Sequence, residues 1–123
     1  MNGNNLFLDT NIVLYLLAGD KTLATLLDKK NWYLSFITEL ELLGYKNLKR
    51  EDTKIIQELL EECVIIDINP AIKRKTVQIR QATGMKLPDC IIAASAAYLD
   101  LPLITADKDF TTLSGIELIL YEQ

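Results

Sequence analysis

The segment that most limits the fold is PDCIIAASAAYLD (88–100), a helix-forming stretch that is apolar nearly all round, followed at once by the apolar LPLIT. A helix without a polar face has to be buried, and its Ala and Ser residues allow neighbours to approach closely. A short apolar strand directly after it points to a sheet covered by helices. The same alternation runs along the whole chain. NLFLD (5–9) precedes the helical spacing of TNIVLYLLAGD, KTLATLLDKK predicts a second short helix, and WYLSF (32–36) predicts a strand. TELELLGYKNL predicts a helix with Thr38 as its N-cap, and EDTKIIQELLEEC an amphipathic helix with Ile55, Ile56, Leu59 and Leu60 on one side. VIIDI (64–68) predicts an apolar strand. PAIKRKTVQIRQATG predicts a basic helix with Pro70 near its start and Gly84 just past its end. LPLIT and IELILY complete the strands, with a short turn-helix, DKDFTTL, between them. Short strands alternating with helices predict an α/β, three-layer fold: a central parallel β-sheet of about five strands flanked by helices. In such sheets ligands lie beyond the carboxyl ends of the strands. There is no linker, repeat or low-complexity stretch, so 123 residues predict one domain over 1–123.

The chain contains no histidine. That excludes Ser-His and Cys-His nucleophile systems and a histidine general base. It also argues against the usual zinc sites. Hydrolytic chemistry here has to run on carboxylates and hard metal ions. Cys63 and Cys90 sit in apolar runs without CxxC spacing, and read as small buried hydrophobes rather than a disulfide framework. MNGNNLFLDT lacks the basic flank of a signal peptide, and no apolar run approaches the roughly 20 residues of a bilayer span. The expectation is a reduced, cytoplasmic setting and no membrane.

Four acids fall where such a sheet would bring them together. Asp9 closes the first strand and Asp107 follows the PLIT strand. Asp89 lies in the first turn of the buried helix, and Glu41 is expected in the first turn of the helix after WYLSF. Each alone has a structural reading. Asp9 can cap the following helix. Glu41 fits a Thr-x-x-Glu capping box with Thr38. Asp89 can complement a helix dipole, and Asp107 can be a turn residue or a cap. Together they repel, which a chain tolerates where divalent cations fill the space. Oxygen-only ligands point to Mg²⁺ or Mn²⁺ rather than zinc. The net charge of −4, from 13 basic and 17 acidic residues, is unlike a generic nucleic-acid binder. With those four acids set aside the chain is neutral, so the acidity need not exclude an anionic substrate.

FLDTNIVLYLL, SFITELELLGY, KLPDCIIAASA and LITADKDF resemble, in that order, the four blocks of the PIN domain, and most closely the VapC-type toxin ribonucleases of toxin–antitoxin pairs. The resemblance spans nearly the whole chain. It implies a PIN-like fold and roles for particular residues. Asp9, Glu41, Asp89 and Asp107 would be the catalytic, metal-holding acids, with Glu41 preferred to Glu39. Asp109, Thr105 and Asn11 would be accessory. The resemblance further implies one or two Mg²⁺ or Mn²⁺ ions, hydrolysis of RNA phosphodiester bonds without a covalent enzyme intermediate, and 5′-phosphate and 3′-hydroxyl products. It implies a cognate antitoxin as protein partner, for which the NIVLYLL and KTLATLL helices offer part of a groove, and a homodimer is expected.

For contacts with the RNA backbone the candidate is Lys86, immediately before the Asp89 block. Lys46, Lys49 and Arg50, and the run Lys73, Arg74, Lys75 and Arg80, are weaker candidates, because a basic helical run is more often a solvated face. Trp32 and Tyr33 could stack bases, but an aromatic strand is more often core. A receiver domain would need an acidic pair near the first strand and a Lys after the last, and a haloacid-dehalogenase-like phosphatase would need Asp-x-Asp. The chain has neither. The remaining alternative is a PIN-fold module that binds RNA or protein without cutting.

Overall fold

A computed structural model describes residues 3–123, so Met1 and Asn2 of the expected domain lie outside the described residues. The elements follow in the order β1 (Asn5–Leu8), α1 (Thr10–Leu17), α2 (Lys21–Leu27), β2 (Asn31–Ser35), α3 (Phe36–Leu43), α4 (Arg50–Glu61), β3 (Val64–Ile66), α5 (Pro70–Thr83), α6 (Leu87–Leu99), β4 (Leu103–Thr105), a 3-10 helix (Lys108–Thr112) and β5 (Leu118–Leu120). The five strands form one sheet in the order β3-β2-β1-β4-β5, and each pairing is parallel. The expected α/β architecture is therefore present.

Strand alternation divides the core into two layers. Leu6 and Leu8 of β1 join Ile12, Val13, Leu23, Leu27, Leu42, Ile56 and Leu60 on the face covered by α1 to α4. Phe7, between them, points the other way and joins Ile72, Ile79, Cys90, Ile92 and Phe110. Central parallel strands need apolar residues at every position because both faces are covered, and β1 and β4 are accordingly buried along nearly their whole length. Helix α6 is buried from Cys90 to Ala96 and packs against α5, as its apolar circumference requires. Gly84 ends α5 with φ 69°, a conformation that costs glycine least. At the far end, the Tyr121 hydroxyl donates to both carboxylate oxygens of Asp20, which caps α2. Among the described residues no helix is long and apolar enough to cross a membrane.

Three expectations need correction. The strand over 32–36 stops at Ser35, because the Ser35 hydroxyl accepts from the Ile37 N–H and starts α3 there. Thr38 is thus inside the helix rather than its N-cap, and Glu41 stands in the second turn, not the first. Ile55 is 54% exposed; only Ile56 and Leu60 of α4 are buried, because the helix shows the core a narrower stripe than the sequence pattern suggests. The strand over 64–68 is only three residues long and lies at the sheet edge, with Val64 exposed and both isoleucines half-buried.

Candidate active site

Asp9, Asp89 and Asp107 are delivered by element ends, and Glu41 by the second turn of α3. Asp9 follows β1 and caps α1 from an extended conformation. Its N–H donates to the Ile104 carbonyl at 3.0 Å, fixing the end of β1 against β4. Its side chain is buried, and each of its oxygens accepts one hydrogen bond. Oδ1 accepts from the Thr10 N–H at 2.8 Å, and Oδ2 accepts from the Thr105 hydroxyl at 2.7 Å. The Thr105 oxygen in turn accepts from the Asp107 N–H at 3.0 Å. Asp107 caps the 3-10 helix, its Oδ1 accepting from the Asp109 N–H at 2.9 Å. The structural readings of Asp9 and Asp107 as caps are correct, and they coexist with the cluster.

Asp89 is in the first turn of α6, which begins after Lys86 and carries Pro88 at its start. The turn before it is fixed through Met85, whose N–H donates to the Thr83 hydroxyl and whose carbonyl accepts from the Arg80 guanidinium and the Cys90 thiol. Glu41 is exposed, but its Oε1 accepts from the Thr10 hydroxyl at 2.9 Å, and Thr10 is also 2.8 Å from the Thr38 hydroxyl.

The electrostatics show which acids share space. Burial pushes the Asp9 carboxyl up to about 6; the Thr105 and Thr10 hydrogen bonds pull it down, and the charges of Asp89 and Asp107 push it up again. Asp89 is likewise raised, first by burial, then by Asp107 and Glu41. Lys86 opposes that rise, and Asp109 adds to it. Asp9 thus feels Asp89 and Asp107, and Asp89 feels Asp107, Glu41 and Asp109, at the carboxyl edge of the sheet. Lys86 is exposed beside them. Asn11 is exposed in the first turn of α1, and no hydrogen bond among the described residues ties its side chain to the acids.

The donor set suits a hard divalent cation in kind: carboxylate oxygens, with no histidine in the chain. Asp9 keeps acceptor capacity beyond its two bonds, since a carboxylate has about four acceptor sites. The spacing is looser. Among the described residues, no group of three or more acidic or cysteine side chains stands, as the side chains lie, at the spacing that holds an ion.

Sequence reasoning missed Thr10 and misread Thr38. Thr10 is buried and touches two acids, while Thr38 is fully buried beneath the same spot. The only signal was a pair of hydroxyl residues, one after Asp9 and one three residues before Glu41, and the second was absorbed by the capping-box reading.

The PIN domain family model matches residues 6–116. A search of curated proteins finds no match. Among solved structures, a chain of a toxin–antitoxin complex from Klebsiella pneumoniae is 32% identical over 96% of this chain and 99% of that chain, with a TM-score of 0.82. A chain of VapBC2 from Rickettsia felis, bound to a DNA fragment from their promoter, is 19% identical over 96% of this chain and 99% of that one, with a TM-score of 0.86. A chain of DNA-bound VapBC from Salmonella typhimurium is 19% identical over 94% and 96%, with a TM-score of 0.81. These last two likenesses speak to the shared fold alone.

Proposed function

The chain belongs to the PIN domain family, and from that premise we propose that it is a metal-dependent endoribonuclease acting as the toxin of a toxin–antitoxin pair. The observation that carries the reading is the match to the PIN domain over residues 6–116 together with the placement of its first acid: Asp9 is buried at the end of β1, held by the Thr10 N–H and the Thr105 hydroxyl, with Asp89 and Asp107 near enough to act on it. A buried acid with like-charged neighbours is costly to keep ionised and is characteristic of a functional site. The 32% identity to a chain of a toxin–antitoxin complex supports an antitoxin as the partner and, with it, a cytoplasmic setting.

In this reading Asp9, Glu41, Asp89 and Asp107 hold one or two Mg²⁺ or Mn²⁺ ions. Such an ion, when bound, supplies an activated water at neutral pH and offsets charge on the phosphate. The chain's own contribution is placement. Thr105 and the Thr10 N–H hold the two oxygens of Asp9 in fixed directions. The buried α6 makes a rigid mount for Asp89, and sites on packed elements keep their geometry better than sites on loops. Lys86, exposed next to Asp89, is available to a phosphate of the RNA backbone. Asp109 adds negative charge at the rim.

The test is cleavage of total cellular RNA with Mg²⁺ or Mn²⁺ against EDTA, with Asp89→Asn beside the wild type. Cutting that requires metal and is lost in the variant supports the nuclease. Millimolar Mg²⁺ should also raise the melting temperature, because a ligand of the native state alone stabilises it. The open spacing of the acids favours one other reading, a PIN-fold module that binds RNA or protein without cutting. Metal binding without cleavage, or neither, would select it.

A further inference from the structure

Thr10 stands between the two parts of the acidic edge and has no role in the reading above beyond its backbone N–H. Three contacts converge on it. Its N–H donates to Asp9 Oδ1 at 2.8 Å, its hydroxyl donates to Glu41 Oε1 at 2.9 Å, and the same oxygen lies 2.8 Å from the Thr38 hydroxyl. Thr38 is fully buried, and Thr10 is 9% exposed. A hydroxyl has one proton and two acceptor sites. If the Thr10 proton goes to Glu41, the Thr10–Thr38 bond must be made with the Thr38 proton. The buried threonine pair therefore has one satisfied orientation, and it aims a donor at Glu41. Thr38 and Glu41 lie three residues apart on one helix face, so Thr38 sets the hydroxyl that holds the acid one turn beyond it.

We infer that Thr10 is a positioning residue: its N–H holds Asp9, and its hydroxyl, oriented by Thr38, holds Glu41, so that one side chain sets the relation between acids from two separate elements. The inference rests on the acidic edge being the site proposed above. Glu41 is on the surface, and a surface glutamate samples several rotamers. The bond to Thr10 removes that freedom before any ion arrives, which is how outer partners of metal ligands commonly act. Glu39, half-buried on the same helix, has no such bond among the described residues, so the comparison is of Glu41 with itself across variants.

The experiment uses the full chain in five forms: wild type, Thr10→Val, Thr10→Ser, Glu41→Gln and the Thr10→Val/Glu41→Gln double variant. Valine keeps the shape and the backbone N–H, so the bond to Asp9 survives. Two readouts are taken: NMR relaxation of the Glu41 side-chain methylenes without metal, and Mn²⁺ affinity. Thr10→Val should loosen Glu41 relative to the wild type, and Thr10→Ser should restore it. Mn²⁺ affinity should fall about tenfold in Thr10→Val and stay within about twofold of wild type in Thr10→Ser. The double variant should bind no more weakly than Glu41→Gln alone, because Thr10 acts through Glu41. A Glu41 equally ordered without the hydroxyl, or a Thr10→Val loss that adds in full to that of Glu41→Gln, would overturn the inference. If Thr10→Val strands the Thr38 hydroxyl and fails to fold, Thr10→Val/Thr38→Val removes both partners and answers the same question. A wild type that binds no Mn²⁺ defeats the proposed function, while the ordering of Glu41 still decides the part played by Thr10.

Discussion

Asp9, Thr105 and Asp107 leave adjacent strand ends, whereas Glu41 stands on the second turn of α3 and reaches the others through one threonine hydroxyl. In the first region, position is set by the sheet. The register pairs Leu8 with Ile104, the Asp9 N–H bonds the Ile104 carbonyl, and the Thr105 carbonyl accepts from Tyr121 at 2.8 Å. Moving Asp9 relative to Thr105 means breaking ladder hydrogen bonds and a close-packed core. In the second region, moving Glu41 means breaking one side-chain bond, a matter of about 1 kcal/mol. A site can therefore be rigid on one side and adjustable on the other.

That contrast is open to attack, and the largest expected effect comes first. Asp9→Asn should reduce Mn²⁺ affinity and RNA cleavage by at least about 100-fold, since it removes charge from the fixed side. Glu41→Gln should cost about tenfold in affinity. Equal losses, measured by calorimetry and single-turnover cleavage, would mean that the two regions are not mechanically different.

A second attack uses pH in the presence of EDTA. The folded Asp9 carboxyl titrates at about 6 against an ordinary 3.8, so the native state holds this proton more tightly than the unfolded chain. The associated stability is fully present below pH 4 and is lost as pH rises through 6, a loss of about 3 kcal/mol by the neutral range. Asp89, also raised, adds in the same direction. The melting temperature should therefore climb as pH falls from 7.5 to 5. The climb should be much weaker in Asp9→Asn and only slightly weaker in Glu41→Gln, which removes one of the charges raising Asp89 and leaves Asp9 in place. A flat profile in the wild type would show Asp9 to be better solvated than its burial indicates.

Thr105→Val should act next in size. It removes the strongest bond lowering the Asp9 carboxyl and leaves the Asp107 N–H without its acceptor. The expected cost is about 1–3 kcal/mol in denaturant unfolding, with the Asp9 titration moved further up. Thr10→Val keeps the Thr10 N–H bond to Asp9 and should leave that titration almost in place. If both variants shift it equally, the distinction between the regions is gone.

The same contrast explains what could be read before the fold was in hand. Asp9, Asp89 and Asp107 are tied to strand and helix ends, and those ends are marked by apolar periodicity, by Pro88 and by the turn after LPLIT. Their convergence follows once the sheet is recognised as parallel. Glu41 was placed on the right helix but in the wrong turn. The helix begins at Phe36, an aromatic residue that reads as strand, and its cap is Ser35, which the strand pattern had absorbed. The hydroxyl pair Thr10 and Thr38 left no usable trace, because a bond between residues 28 positions apart has no local periodicity. Likewise, Ile55 was grouped with the apolar side of its helix although it is exposed, and β3 is shorter than its apolar run, since periodicity reports which face is apolar but not how far a neighbour covers it.

Glu39→Gln carries the smallest expected effect, and it separates position from charge. Glu39 is in the first turn of α3, two residues before Glu41, and is half-buried. It carries the same charge as Glu41 on the same short helix, yet no hydrogen bond directs its carboxylate toward Asp9 or Asp89. If the α3 side contributes only diffuse negative potential, Glu39→Gln and Glu41→Gln should weaken Mn²⁺ binding alike, and added salt should reduce both effects because screening acts on distance, not identity. If a directed carboxylate is what matters, Glu39→Gln should change affinity by less than about twofold, and the Glu41→Gln loss should persist in high salt. Titrating Mn²⁺ into the two variants at low and high ionic strength therefore measures how much of the adjustable side is aimed by the Thr10 hydroxyl and how much is charge alone.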